Sequence, residues 1–135
     1  MSYSGAKLAL FLGNELLVIR RDDKPDIPYP DHWDLPGGGR EGDESPAECA
    51  LRETKEEVGL CLKESDLVWR QTYMRPRGQV WFFAAHLPGS AVTKIRFGSE
   101  GQGWQLMDPH GYCSHPMAVP HFALQLRAYL DVSGI

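Results

Sequence analysis

The sequence predicts an α/β domain, in which a mixed sheet is covered by helices. Three observations carry this. Apolar runs of strand length recur along the chain. A punctuated helix lies in the middle, and an amphipathic helix closes the chain. Mixed strands with two helices give a three-layer α/β/α or an α+β arrangement. The chain has 135 residues, and residues 1–135 are expected to form one domain.

"KLALFL", "GN" and "ELLVIRR" read as a strand, a tight turn and a second strand, because Gly13 and Asn14 both tolerate positive φ. "DDKPDIPYPDHWD" contains three prolines and is expected to be a long loop. "HWDLP" is briefly extended before Gly37, Gly38 and Gly39. The helix that follows has Ser45 as N-cap, Pro46 at its first position, Glu48 to complete a capping box and Gly59 as its stop. Ala47, Ala50, Leu51, Thr54 and Val58 share its packing face. "DLVWRQTYM" and "QVWFFAAHL" flank the turn "RPRG", and "GQGWQLM" forms another strand. "DPHGYCSHP" is a loop or a single helical turn. "PHFALQLRAYL" is the closing helix, with Phe122, Leu126, Tyr129 and Leu130 on one side.

Composition excludes several classes. Hydrophobic residues make up 42%, enough for an ordinary core. A net charge of −4 lacks the basic stripe of a nucleic-acid polymer binder. Three cysteines define no disulfide framework and suggest reduced thiols. The N-terminal apolar run is broken at Gly13, Asn14 and Glu15, with no cleavage site after it. No segment is long enough to span a membrane. The expectation is a cytoplasmic protein without membrane association, either monomeric or homodimeric.

The chemistry concentrates between Gly37 and Leu60. Seven carboxylates fall in that window: Glu41, Asp43, Glu44, Glu48, Glu53, Glu56 and Glu57. Glu53, Glu56 and Glu57 share one helix face, mostly opposite the apolar face. Like charges three and four residues apart destabilise a helix, and acids near its C-terminus oppose the macrodipole. Arg52 is the only close cation in the sequence, and the cluster is expected to weaken the metal-free fold. A solvated acidic face would explain glutamates alone. It does not explain carboxylates set behind a glycine loop, which suit Mg²⁺ with an attached phosphate. Hydrolysis at phosphorus is the chemistry that combination serves.

Gly38, Glu44 and the run Arg52-Glu53-Thr54-Lys55-Glu56-Glu57-Val58-Gly59-Leu60 resemble the Nudix box, G-x5-E-x7-R-E-U-x-E-E-x-G-U, where U is a bulky aliphatic. Every fixed residue is present at its spacing. Thr54 departs from the pattern at a U position on the packing face, where it should affect packing more than metal binding. The box covers residues 38 to 60. The resemblance extends loosely over the chain through strand order, "WDLPGG" and the closing helix.

That resemblance implies a Nudix-type α/β/α sandwich with a mixed central sheet. It also implies cleavage of a nucleoside diphosphate linked to another moiety, with Mg²⁺ or Mn²⁺. Glu56 and Glu57 would be metal ligands, and Glu53 a ligand or the base. Arg52 would orient the glutamates, Glu44 would support the loop, and a carbonyl of Gly37 or Gly38 would complete the coordination. Glu100, between glycines in a later loop, would be an additional ligand or base, or simply a solvated acid. All the metal glutamates are kept, which disfavours a non-catalytic nucleotide sensor. The short chain leans towards nucleoside triphosphates over ADP-ribose or nucleotide sugars.

Around this site, Arg20 and Arg21 end the second strand. They are a solvated pair, or one binds phosphate; alternation allows one to face the site, with Arg20 favoured. Trp33, Trp81, Phe83 and Trp104 are base-stacking candidates, although core packing accounts for most of them. Trp33 and the backbone of Gly37 join the substrate-binding set. Pro76 is a turn residue. His110, Cys113 and His115 are too cramped to suggest zinc without a fourth ligand.

Overall fold

The computed structural model describes residues 2–135. A sheet of seven strands runs β1 (Tyr3–Leu12), β2 (Glu15–Arg20), β3 (Trp33–Asp34), β4 (Gly37–Gly39), β5 (Leu67–Arg75), β6 (Gly78–Leu87) and β7 (Gly103–Met107) along the chain. Its main path is β3-β2-β1-β6-β5, with β4 pairing β1 and β7 pairing β2. β1 and β6 are parallel and the other pairs are antiparallel, so the sheet is mixed. Gly13 turns the β1–β2 hairpin at φ 61°, as the Gly-Asn signal requires.

Both faces of the sheet are covered. Leu8, Leu10, Leu12, Leu17 and Phe83 pack beneath α1 (Pro46–Val58) with Ala47, Ala50 and Val58. Ala9, Phe11, Val18 and Phe82 pack beneath α3 (Pro120–Ser133) with Phe122, Leu126 and Tyr129. Strands buried on two sides need apolar residues at successive positions, which explains the unbroken "LALFL" in β1. The result is an α/β/α sandwich.

The α1 punctuation forms as its residues dictate. Ser45 Oγ accepts from the Glu48 N–H at 3.1 Å, and Glu48 Oε1 accepts from the Ser45 N–H at 2.8 Å. Gly59 closes the helix in the left-handed region. Thr54 is fully buried, and its hydroxyl donates to the Ala50 carbonyl at 2.7 Å. That bond satisfies the hydroxyl which an aliphatic residue would not bring to this face.

The structure departs from the sequence expectation in four places. The glycine loop is partly strand β4, paired residue by residue to Gly5, Ala6 and Lys7 of β1. "DPHGYCSHP" contains a six-residue helix, α2 (Pro109–Ser114), capped by Asp108. Helix α3 runs three residues beyond Leu130, to Ser133. Two short 3₁₀ segments, Glu64–Asp66 and Gly89–Lys94, lie in connections. Among the described residues, no helix is long and apolar enough to cross a membrane.

Candidate active site

Helix α1 and strand β4 place the acidic cluster. One face of α1 packs on the sheet, so Glu53, Glu56 and Glu57 are presented at its side. Together with Gly98, Ser99 and Glu100 they line a cavity of about 420 Å³. The later loop therefore does bring Glu100 to the box helix. It approaches closely at Gly98, whose N–H donates to the Glu57 carbonyl at 2.9 Å. A Cβ there would overlap the Glu56 carbonyl, so glycine is needed for the approach.

Arg52 is the hub of the cluster. Its guanidinium pairs with Glu41 at 2.7 Å, Glu44 at 2.8 Å, Glu53 at 2.9 Å and Glu56 at 3.0 Å. It also donates to the Gly39 carbonyl at 3.0 Å. These bonds hold the Glu44 carboxyl well below its ordinary range, at about 2. Arg52, the close cation expected from the sequence, thus pairs with two of the three helix glutamates, but its single positive charge is shared among four carboxylates. The sharing arises because the chain before α1 folds back along the helix, carrying Glu41 and Glu44 to the same guanidinium.

Glu57 stands apart from that hub. Its Oε1 accepts the Gly37 N–H at 2.8 Å. Burial pushes its carboxyl up to about 7, against the lowering influence of nearby Lys7 and the Gly37 bond. Burial also raises Glu53, opposed by Arg52. Acids that are costly to ionise in place are those a bound cation would relieve. Carboxylate oxygens of Glu41, Glu53 and Glu56 lie within 4.8 Å of one another. This donor set is all oxygen and fits Mg²⁺ or Mn²⁺. Glu41 was not singled out from sequence, and its loop position gave no signal.

Gly38 lies directly against this cluster. A Cβ on it would overlap the Glu53 carboxylate and come within 2.7 Å of its Cδ. Gly37 is less available than the sequence suggested. Its N–H is taken by Glu57, and its carbonyl accepts the Lys7 ammonium at 2.9 Å. Gly38 pairs with Ala6 in the β1–β4 ladder, and its carbonyl also accepts a long 3.5 Å contact from Cys49 Sγ.

A second cavity, of about 410 Å³, opens on the other side of β4, with Gly38 and Gly39 on its wall. Its other walls come from Lys7 and Trp81 of the sheet, Tyr29 of the proline-rich loop, and His121, Phe122 and Gln125 of α3. Arg75, Pro76 and Arg77 of the β5–β6 turn also line it, and so does Arg21. The expected choice between the strand-end arginines is reversed. Arg21 reaches this cavity, held by Asp34 at 3.0 Å and the Pro28 carbonyl at 2.7 Å. Arg20 lines neither cavity; it pairs with Asp31 at 2.8 Å and covers the Trp33 ring. Trp33 accordingly packs with the α3 layer and is not a stacking wall. Phe83 and Trp104 join the core beneath α1. His110 bonds the Ile135 carbonyl, and His115 accepts from the Met117 N–H.

An α/β/α sandwich whose box helix presents glutamates beside a glycine strand defines the class. The NUDIX domain model matches residues 4–126, and the chain belongs to the Nudix family. An RNA pyrophosphohydrolase of Acidiphilium cryptum (strain JF-5) is 47% identical over 60 residues, covering 44% of this chain and 35% of that protein. The match thus spans about a third of that relative's length. Two solved structures share the fold over 97% of this chain at TM-score 0.75. One is a MutT protein from Methanosarcina mazei Go1, at 18% identity and 95% of its length. The other is a C. elegans Ap4A hydrolase in a binary complex, at 21% identity and 99% of its length.

Proposed function

We propose that the protein, with residues 1–135 acting as one Nudix domain, is a metal-dependent pyrophosphohydrolase. Its proposed substrate is a nucleoside triphosphate, cleaved to monophosphate and pyrophosphate. The observation that carries this reading is the pair of cavities that border the box residues. One is acidic and suited to a cation-bound phosphoanhydride; the other, of similar volume, is aromatic-walled and rimmed by arginines. The matching segment of the RNA pyrophosphohydrolase supports pyrophosphohydrolase chemistry.

Glu53 and Glu56, whose carboxylates converge with that of Glu41, would hold the metal together with Glu57 on the same cavity wall. When bound, Mg²⁺ or Mn²⁺ would neutralise phosphoryl oxygens and make water easier to deprotonate. The protein's own groups do the rest. Arg52 fixes Glu53 and Glu56 in place through its ion pairs. Gly38 leaves room for the Glu53 carboxylate. Glu100 lines the cavity with no side-chain bond among the described residues, whereas Glu53 is held by Arg52. That freedom makes Glu100 our choice for the base that accepts the proton of the attacking water. Arg75 and Arg77 are exposed, make no ion pair among the described residues and can hold substrate charge.

A nucleotide panel with Mg²⁺, its products identified by mass, tests the assignment. Monophosphate with pyrophosphate is expected from a triphosphate. Turnover of ADP-ribose or nucleotide sugars in preference to every triphosphate would displace it.

Metal binding has a separate readout. Millimolar Mg²⁺ is expected to raise the melting temperature, while a sodium salt of matched ionic strength leaves it unchanged. A cation bound only to the native state stabilises by RT ln(1 + [L]/Kd), about 2.7 kcal/mol at one hundred times Kd. Equal shifts in both salts would reduce the effect to screening.

A further inference from the structure

Gln125 lies on the buried side of α3, one turn after Phe122, and is only 5% exposed. Its side chain makes no hydrogen bond among the described residues and lines the 410 Å³ cavity. An amide held on a buried helix face and open only to a cavity is placed to hydrogen-bond what enters that cavity. The cavity around it offers stacking surface and polar groups that suit a flat, hydrogen-bonding ring. Tyr29, Trp81 and Phe122 supply aromatic surface. His121 is held neutral, pushed down to about 4 by burial and by Arg75 and Arg21. Among the described residues, no carboxylate lines the cavity, while Lys7, Arg21, Arg75 and Arg77 do.

We propose that Gln125 is a specificity-determining residue that reads the edge of a nucleobase seated in this cavity, adenine in preference to guanine. The identity of the ligand rests on the nucleotide reading above. A carboxamide places one acceptor beside one donor, which matches the N6 donor and ring-nitrogen acceptor of adenine. The Watson–Crick edge of guanine adds a second donor at N2, for which the cavity offers no carboxylate. Lys7, Arg21, Arg75 and Arg77 on the cavity wall can pair with the phosphates of the same ligand, so ribose 5-phosphate is the comparison that separates base reading from phosphate binding. The bare backbone of Gly38 and Gly39 borders the cavity, and Gly38 also abuts the acidic cluster. A base beside α3 and a phosphate chain at α1 can therefore belong to one molecule.

The test is equilibrium binding to the full chain in EDTA, by calorimetry, of AMP, GMP and ribose 5-phosphate. Wild type should bind AMP more tightly than GMP, and both more tightly than ribose 5-phosphate. Gln125→Leu, which suits a buried helix face, should weaken AMP at least about tenfold while leaving ribose 5-phosphate unchanged. Gln125→Glu presents acceptors only and should reverse the AMP-to-GMP preference. That ratio is measured within one protein, so it is independent of how much of the variant folds. Equal losses for AMP and ribose 5-phosphate, or an unchanged AMP-to-GMP ratio in Gln125→Glu, overturn the proposal. If base discrimination is present but no nucleotide is hydrolysed, the activity reading fails alone. Hydrolysis without any effect of Gln125 leaves activity standing and removes the base-reading role.

Discussion

Glu57→Gln is expected to abolish most turnover while leaving the fold intact. The amide keeps the size of the side chain and can still accept the Gly37 N–H that Glu57 Oε1 now takes. It removes the charge that would bind the cation. A loss on the order of 10²–10³-fold or more follows when a preorganised electrostatic group is deleted. Glu48→Gln is the matched control. Its carboxylate serves the capping box, accepting from Ser45 at 2.8 Å, and glutamine fills that position equally well. Similar rates for the two variants would show that the catalytic face has been misassigned.

The same substitution has a stability signature in the absence of metal. Glu57 is raised from an ordinary value of 4.5 to about 7, so the folded state binds more protons than the unfolded state between those values. Stability of the metal-free protein should therefore fall as pH rises from about 4.5 to about 7. Below that window the carboxyl is protonated in both states and the penalty is absent; above it the penalty is complete. Glu57→Gln should flatten this slope, as followed by urea midpoints in EDTA. An unchanged slope would mean that Glu57 is not the strained acid. A stability maximum above pH 7 would contradict the sign.

Glu100→Gln is expected to lower kcat by about 10²–10⁴-fold, the usual contribution of a base acting in the transition state. The loop from Gly98 to Gly101 brings this carboxylate to the cavity of Glu53, Glu56 and Glu57. Glu53 is the rival, but Arg52 holds it at 2.9 Å and Gly38 lies against its other oxygen. Measurements at saturating Mg²⁺ separate the two. A large loss for Glu53→Gln with wild-type turnover for Glu100→Gln would take the loop acid out of the mechanism and make Glu53 the base.

Features encoded by neighbouring residues were legible in the sequence. The β1–β2 turn, the Ser45–Glu48 capping box, the Gly59 stop and the packing position of Thr54 all depend on a few adjacent residues. Features that arise when distant segments meet were not. Three glycines have low strand propensity, and β4 exists because β1 supplies its pairing partners. The choice of Arg21 over Arg20 depends on Asp34 and Asp31, which arrive from the proline-rich loop. The four-way pairing of Arg52 required Glu41 and Glu44 to fold back on the helix. Gln125 did leave a signal. It sits three residues after Phe122 and four before Tyr129, a polar residue on an apolar helix face.

The parallel pairing of β1 with β6 bears on how the chain acquires its shape. That ladder sets Lys7 beside Phe82 and Leu10 beside Ala85, so the middle of the sheet joins residues far apart in the chain. Loop-closure entropy must be met before those contacts form, which places such topologies among the slower folders, in milliseconds to seconds. The glycine strand pairs with the same β1, and α1 packs over it. The capped helix can flicker locally on its own, but its glutamates are not held in register until β1 is in place. Competence for catalysis should thus appear late in refolding, together with the central ladder and not with the first helical signal.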